Sequence, residues 1–262
     1  MKQVAIGVGL AVALFVVVQL AIVAVVIAAD MDFVAEDSGD LFQQAGEIAK
    51  YADKRLKAAA TSAPLPDPPR LTADKTSLEI LIWVNIVAQV ATFGIVGAAS
   101  GQSFRGLVES LGLRRYRLSS IWRPALAMIG AYALVIGYSI AMEAIGIDVL
   151  TPESTVPDEI VRWPSTAAAS AAMIAVGAPV SEEFFFRGLV FGGLAKRGFW
   201  LAGGASSALF TLAHFDTGSF IPFFFVGLTM CWLFRSRGTL WDSIIFHFLF
   251  NFTSFIFLLA GN

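Results

Sequence analysis

AVGAPVSEEFFFRGLVFGG, residues 175–193, sets Glu182, Glu183 and Arg187 among Phe, Val, Leu and Gly. The apolar run around them is long enough to cross a bilayer as a helix, which takes about 20 residues. A charge at the bilayer centre costs about 2.5–3.5 kcal/mol by insertion scales, so an intramembrane acid pair marks a functional site and needs named partners. Glu183 and Arg187 are i,i+4 and can pair on one face. Glu182 points about 100° away, as the helical repeat requires, and is left to face a separate cavity. Pro179 lacks an N–H, frees a backbone carbonyl and kinks the helix just before the pair.

Composition agrees with a membrane chain. Of 262 residues, 57% are hydrophobic and 15% charged, against about 45–50% and about 25% in soluble domains. Mean hydropathy is +0.74, and the apolar runs have the length of helices rather than of barrel strands. The net charge of -2 gives no basis for nucleic-acid binding. The single cysteine, Cys231, lies in an apolar run; it excludes a disulfide framework and a cysteine metal cage.

The reading is an all-α, polytopic transmembrane helix bundle with about seven spans, near 4–29, 77–99, 122–146, 166–194, 199–215, 219–235 and 240–260. Residues 1–29 read as a signal anchor: the apolar run from Val4 to Ala29 is about twice a signal-peptide core, although IVAVVIAAD leaves cleavage near Ala29 open. Lys2, Arg105, Arg114, Arg115, Arg117, Arg123, Lys196, Arg197, Arg235 and Arg237 all fall on one side if the chain alternates. That side reads as the cytoplasm, with the N-terminus inside and the C-terminus outside.

Residues 30–76 form the extracytoplasmic piece. Leu41, Phe42, Ala45, Ile48, Ala49, Ala52 and Leu56 recur at helical spacing, and APLPDPPR at 63–70 is a stiff linker. Residues 77–262 make the core. Within it, SFRGLVESLGLRRYR at 103–117 reads as a short amphipathic interfacial helix whose arginines suit an anionic surface. Small residues crowd STAAASAAMIAVG at 165–177 and AGGASSA at 202–208. The two spans that carry them are expected to cross near the bundle centre.

Both histidines of the chain fall inside apolar spans. His214 follows Phe210 by four residues, and His247 precedes Asn251 by four, so each pair shares a helix face. A carboxylate in an apolar pocket can serve as a general base near neutral pH, and a histidine beside it can share the task. A second histidine with an asparagine amide supplies the donors that an oxyanion hole needs. No serine elbow and no HExxH motif is present.

EExxxR (Glu182, Glu183, Arg187), FxxxH (Phe210, His214) and HxxxN (His247, Asn251), in that order on three apolar spans, resemble the CAAX protease and bacteriocin-processing (CPBP or Abi) family. These intramembrane endopeptidases are related to the type II CAAX prenyl endopeptidase. The resemblance covers about residues 120–256 and includes LGLRR at 111–115. It implies that Glu182 and His214 activate a water, that His247 and Asn251 stabilise the oxyanion, and that Glu183 and Arg187 support the site. It implies a metal-independent mechanism on a membrane-associated peptide or membrane-protein substrate, with lipid as surroundings. The alternatives are a zinc held by Glu182, His214 and His247, a bacteriocin-immunity or scaffold protein in which the acids are structural, and a proton relay.

Overall fold

An apolar chain of this kind becomes helical because a helix satisfies its interior N–H and C=O groups within its own segment. The computed structural model describes residues 9, 12–18, 54, 57, 58, 61, 75–147, 150–152, 158–214 and 216–261, and these contain helices and no strand. The principal helices are α1 (Lys75–Ser100), α2 (Phe104–Ser110), α3 (Trp122–Ile145) and α4 (Pro164–Arg197), followed by α5 (Phe199–Leu212), α6 (Phe220–Arg237) and α7 (Trp241–Gly261). By length and composition, Leu78–Ser100, Leu118–Ile145, Pro164–Arg197 and Trp241–Ala260 can cross a membrane.

The fifth and sixth expected spans are helical. At 14 residues α5 rises only about 21 Å, short of a hydrocarbon core of about 30 Å. Most of the expected first span lies outside the described residues. So do the amphipathic helix and Pro-rich linker assigned to 30–76, apart from isolated positions. Residues 12–18 are helical, and Phe15 stacks on Phe185 with ring centroids 4.5 Å apart.

α4 is the central element, and it changes register twice. Met173–Gly177 and Glu183–Phe191 are π-helical, on either side of a short α-helical stretch, Ala178–Glu182. Phe185, Phe186 and Val190 of α4 pack with Phe210, Met230, Leu233 and Phe246 in the main core. α3 is peripheral. Only Pro124 and Ala131 of it are buried, and Leu126, Ile129, Ile136 and Ile140 stand outward, as on a helix that faces lipid.

The two spans that carry the small-residue stretches do meet, α5 packing on the later half of α4, while the stretches themselves have different neighbours. The first packs on α1 and α7: Ala169, Ala171, Met173 and Ile174 sit against Ile82 and Phe255. The second packs on α6, where a Cβ at Gly227 would lie 2.8 Å from Ser207 Cβ. It also touches the later half of α4, where the Ser206 hydroxyl donates to Phe186 O at 2.7 Å. Both stretches do permit close packing, each with a different neighbour.

The 104–115 segment does more than lie at an interface. Gly112 adopts φ +64°, and a Cβ there would strike Gly238 O. This glycine corner brings Leu111 O to Leu240 N (2.9 Å) and Leu113 O to Trp241 Nε1 (2.8 Å). α7 therefore starts beneath this segment. Leu240 and Asp242 are buried, and Asp242 pairs with Arg237 at 3.6 Å. The burial of this first turn explains how His247, only two turns along α7, reaches the level of Glu182.

Candidate active site

Pro179 decides the local structure around the acid pair. In the π register of Met173–Gly177, the N–H of Ala178 bonds Met173 O. The next bond in that register would run from residue 179 to Ile174 O, and proline has no N–H to give. Asn251 Nδ2 fills that place from α7, donating to Ile174 O at 2.9 Å. The proline thus frees the carbonyl of Ile174, and the HxxxN asparagine caps it.

Glu183 and Arg187 pair as their spacing predicts. Arg187 Nη1 donates to Glu183 Oε1 at 2.8 Å, with both side chains wholly buried. Arg187 Nη2 also donates to Gly227 O at 3.3 Å on α6. The guanidinium lies 4.5 Å from the Phe210 ring centroid, a cation–π contact of the desolvated kind. The spacing did not foretell the third member. His247 Nδ1 approaches the same Glu183 oxygen at 2.9 Å. Because a carboxylate accepts, Nδ1 carries the proton, and Nε2 is turned toward Glu182 Oε2 at 3.9 Å. His247 is thus held between the two carboxylates, almost fully buried.

Glu182 takes the other direction. It lines a cavity of about 310 Å³ together with His214 and Asn251, and its Oε2 receives no hydrogen bond from a described residue. His214 Nδ1 lies 2.8 Å from Phe210 O. A carbonyl can only accept, so Nδ1 is the protonated nitrogen and Nε2 of the neutral ring keeps its lone pair.

Phe210 emerges as a hub. Its carbonyl fixes the His214 tautomer, and its ring contacts Phe186, His214 and His247 at 5.5, 4.6 and 5.7 Å. The structure therefore brings Glu182, His214 and Asn251 to one cavity. Glu183, Arg187 and His247 form a buried ion-pair group behind it.

Sequence reasoning missed Asn85, Gln89 and Thr92 of α1, which line the same cavity. Their i, i+4, i+7 spacing on an otherwise apolar helix is the signal that finds them. Among the described residues no group of three His, Cys, Asp or Glu side chains is placed to hold a metal ion, the Glu182, His214 and His247 of the zinc alternative included.

Residues 164–253 match the family model described as "Type II CAAX prenyl endopeptidase Rce1-like". A Bacillus subtilis (strain 168) protein named "Putative membrane peptidase YdiL" is 32% identical over 74 residues, 28% of this chain and 30% of that protein. The match thus spans less than a third of that relative's length. No solved structure matches the chain.

Proposed function

From residues 164–253, which match the family model described as "Type II CAAX prenyl endopeptidase Rce1-like", we infer that this membrane protein is an intramembrane endopeptidase. It hydrolyses peptide bonds of a membrane-associated peptide or membrane protein without a metal step. One observation carries the reading: Glu182, His214 and Asn251 line a single cavity, and His247 directs Nε2 to Glu182 from a mount on Glu183.

In this mechanism a water in the cavity gives a proton to Glu182 or to His214 Nε2, and its oxygen attacks the scissile carbonyl carbon. The carbonyl π electrons move to oxygen. The second Nδ2 proton of Asn251, beside the one spent on Ile174 O, and a protonated His247 Nε2 stabilise that charge. When the C–N bond breaks, the proton taken from water passes to the leaving nitrogen. A carboxylic acid and an amine result. Glu183 and Arg187 are positioning residues, since Glu183 holds His247 and Arg187 holds Glu183.

The Lys and Arg residues that fall on one side of the alternating spans support a multi-pass topology in the cell membrane with the N-terminus cytoplasmic and the C-terminus extracytoplasmic. Lipid and the substrate are the partners of this reading, and nucleic acid has no place in it.

The test is proteolysis by purified protein in proteoliposomes, with substrates found by comparing the membrane proteomes of cells that carry wild type or Glu182→Ala. Glu182→Ala and His214→Ala are expected to stay folded and to lose cleavage by at least about 10²-fold, the low end for a general base. Full proteolysis by both variants sinks the assignment. The buried Glu183–Arg187–His247 group favours a second reading, a non-enzymatic scaffold. Strong destabilisation by Glu182→Gln, with unchanged membrane proteomes, would favour it.

A further inference from the structure

Gln89 stands at a junction between two cavities. One is the catalytic cavity of about 310 Å³. The other is a groove of about 740 Å³ between α1 and the first half of α4, with Trp83, Ile86, Ala169 and Val176 in its walls. Gln89 and Met173 line both. The groove is mostly apolar, and Trp83 and Val176 stand well exposed beside it, so it opens on the flank of the bundle.

The three polar residues of α1 differ in what they bond. Asn85 Nδ2 donates to Leu81 O and Thr92 Oγ1 to Ala88 O, both within the helix. Gln89 reaches across. Its Nε2 donates to Met173 O at 3.4 Å, a carbonyl of the π-helical turn that precedes Pro179. The carboxamide passes over Gly177, where a Cβ would run into Gln89 Oε1. That oxygen accepts no hydrogen bond from the described residues, and the second Nε2 proton is also uncommitted. A primary amide with one free acceptor and one free donor matches the N–H and C=O of a peptide main chain.

An extended peptide lying in an apolar groove must have its backbone groups satisfied, because lipid cannot do so. We propose that Gln89 is the substrate-positioning residue of this enzyme. In this assignment an extended segment of the substrate enters laterally along the α1–α4 groove, its apolar side chains against Trp83, Ile86 and Val176. Gln89 hydrogen-bonds its main chain where it turns into the catalytic cavity. The proposal rests on the peptidase reading and adds the route and a specificity-neutral main-chain contact.

The experiment uses the full chain in proteoliposomes and a quenched-fluorescence peptide spanning the site most strongly cleaved in a Glu182-dependent way in cells. Gln89→Leu is expected to raise KM about five- to tenfold, the worth of one neutral hydrogen bond. It should leave kcat within about twofold and the detergent melting temperature unchanged. Gly177→Ala displaces the amide and should raise KM alike, with the double variant no worse than Gln89→Leu alone. Gly97→Ala, on α1 outside both cavities and with open space around an added Cβ, should change KM by less than about twofold.

A KM for Gln89→Leu equal to wild type overturns the proposal. So does a fall in kcat and melting temperature at constant KM, which marks Gln89 as only a brace between α1 and α4. If wild type shows no Glu182-dependent cleavage in cells, the peptidase reading falls first and takes the proposal with it.

Discussion

Glu183 bonds two side chains at once, and its neighbour Glu182 bonds none among the described residues. One residue of separation along a helix turns adjacent carboxylates to different surroundings, so substitution should separate their roles. Glu183→Ala leaves Arg187 buried without its counter-charge, and is expected to destabilise the protein by about 3–5 kcal/mol, read as a large fall in detergent melting temperature. Glu182→Gln keeps shape at a cavity wall that Glu183 does not share. It should shift stability by less than about 0.5 kcal/mol while abolishing cleavage. Equal destabilisation by the two would mean that both acids are structural. The residue-level pattern was largely legible beforehand, because i,i+4 spacing predicts the Glu183–Arg187 pair. The bridge through His247 was not, since 64 residues separate it from Glu183 and no local rule spans that distance.

At the scale of elements, α4 gives up regular hydrogen bonding to shape the site. The carbonyl freed by Pro179 is restored by Asn251 from α7, so the two should be energetically coupled. Asn251→Ala is expected to cost about 1–2 kcal/mol by leaving Ile174 O unpaired. In a Pro179→Ala background residue 179 regains an N–H, and that cost should shrink by about 0.5–1 kcal/mol, measured as a double-mutant cycle. Strict additivity would refute the coupling. The α5–α6 seam offers a second check. Gly227→Ala forces a Cβ against Ser207 at 2.8 Å and should cost about 1–3 kcal/mol. Gly204→Ala meets nothing within 4 Å and should be neutral. Here the sequence announced close packing through its small residues, but not the partner of each stretch. Small residues state that backbones can approach, and not which ones do.

For the molecule as a whole, the proposed mechanism needs no metal, and among the described residues no three His, Cys, Asp or Glu side chains are grouped as an ion's ligands. Purified protein is expected to contain zinc well below one atom per chain and to keep its activity after chelator treatment, by elemental analysis and assay. Stoichiometric zinc, with activity lost on chelation and regained on zinc addition, would overturn the metal-free reading. Fusing a reporter at the C-terminus tests the arrangement across the membrane; the charge bias leads us to expect it outside the cytoplasm.

Composition and span length were enough to determine an all-α membrane protein, because backbone groups in lipid must be satisfied within helices. Three motifs, each of five or six residues, were enough to nominate Glu182, Glu183, Arg187, Phe210, His214, His247 and Asn251. Only the tertiary structure decided that His247 stands between the two acids, that Phe210 orients His214, and that Asn251 answers Pro179. It also decided that Gln89 of α1 meets Met173 of α4 at the neck of the cavity. These are contacts between segments far apart in the chain. Their geometry depends on π-helical register, on a buried first turn of α7 and on which glycine faces which helix, and none of these has a local signature in the order of residues.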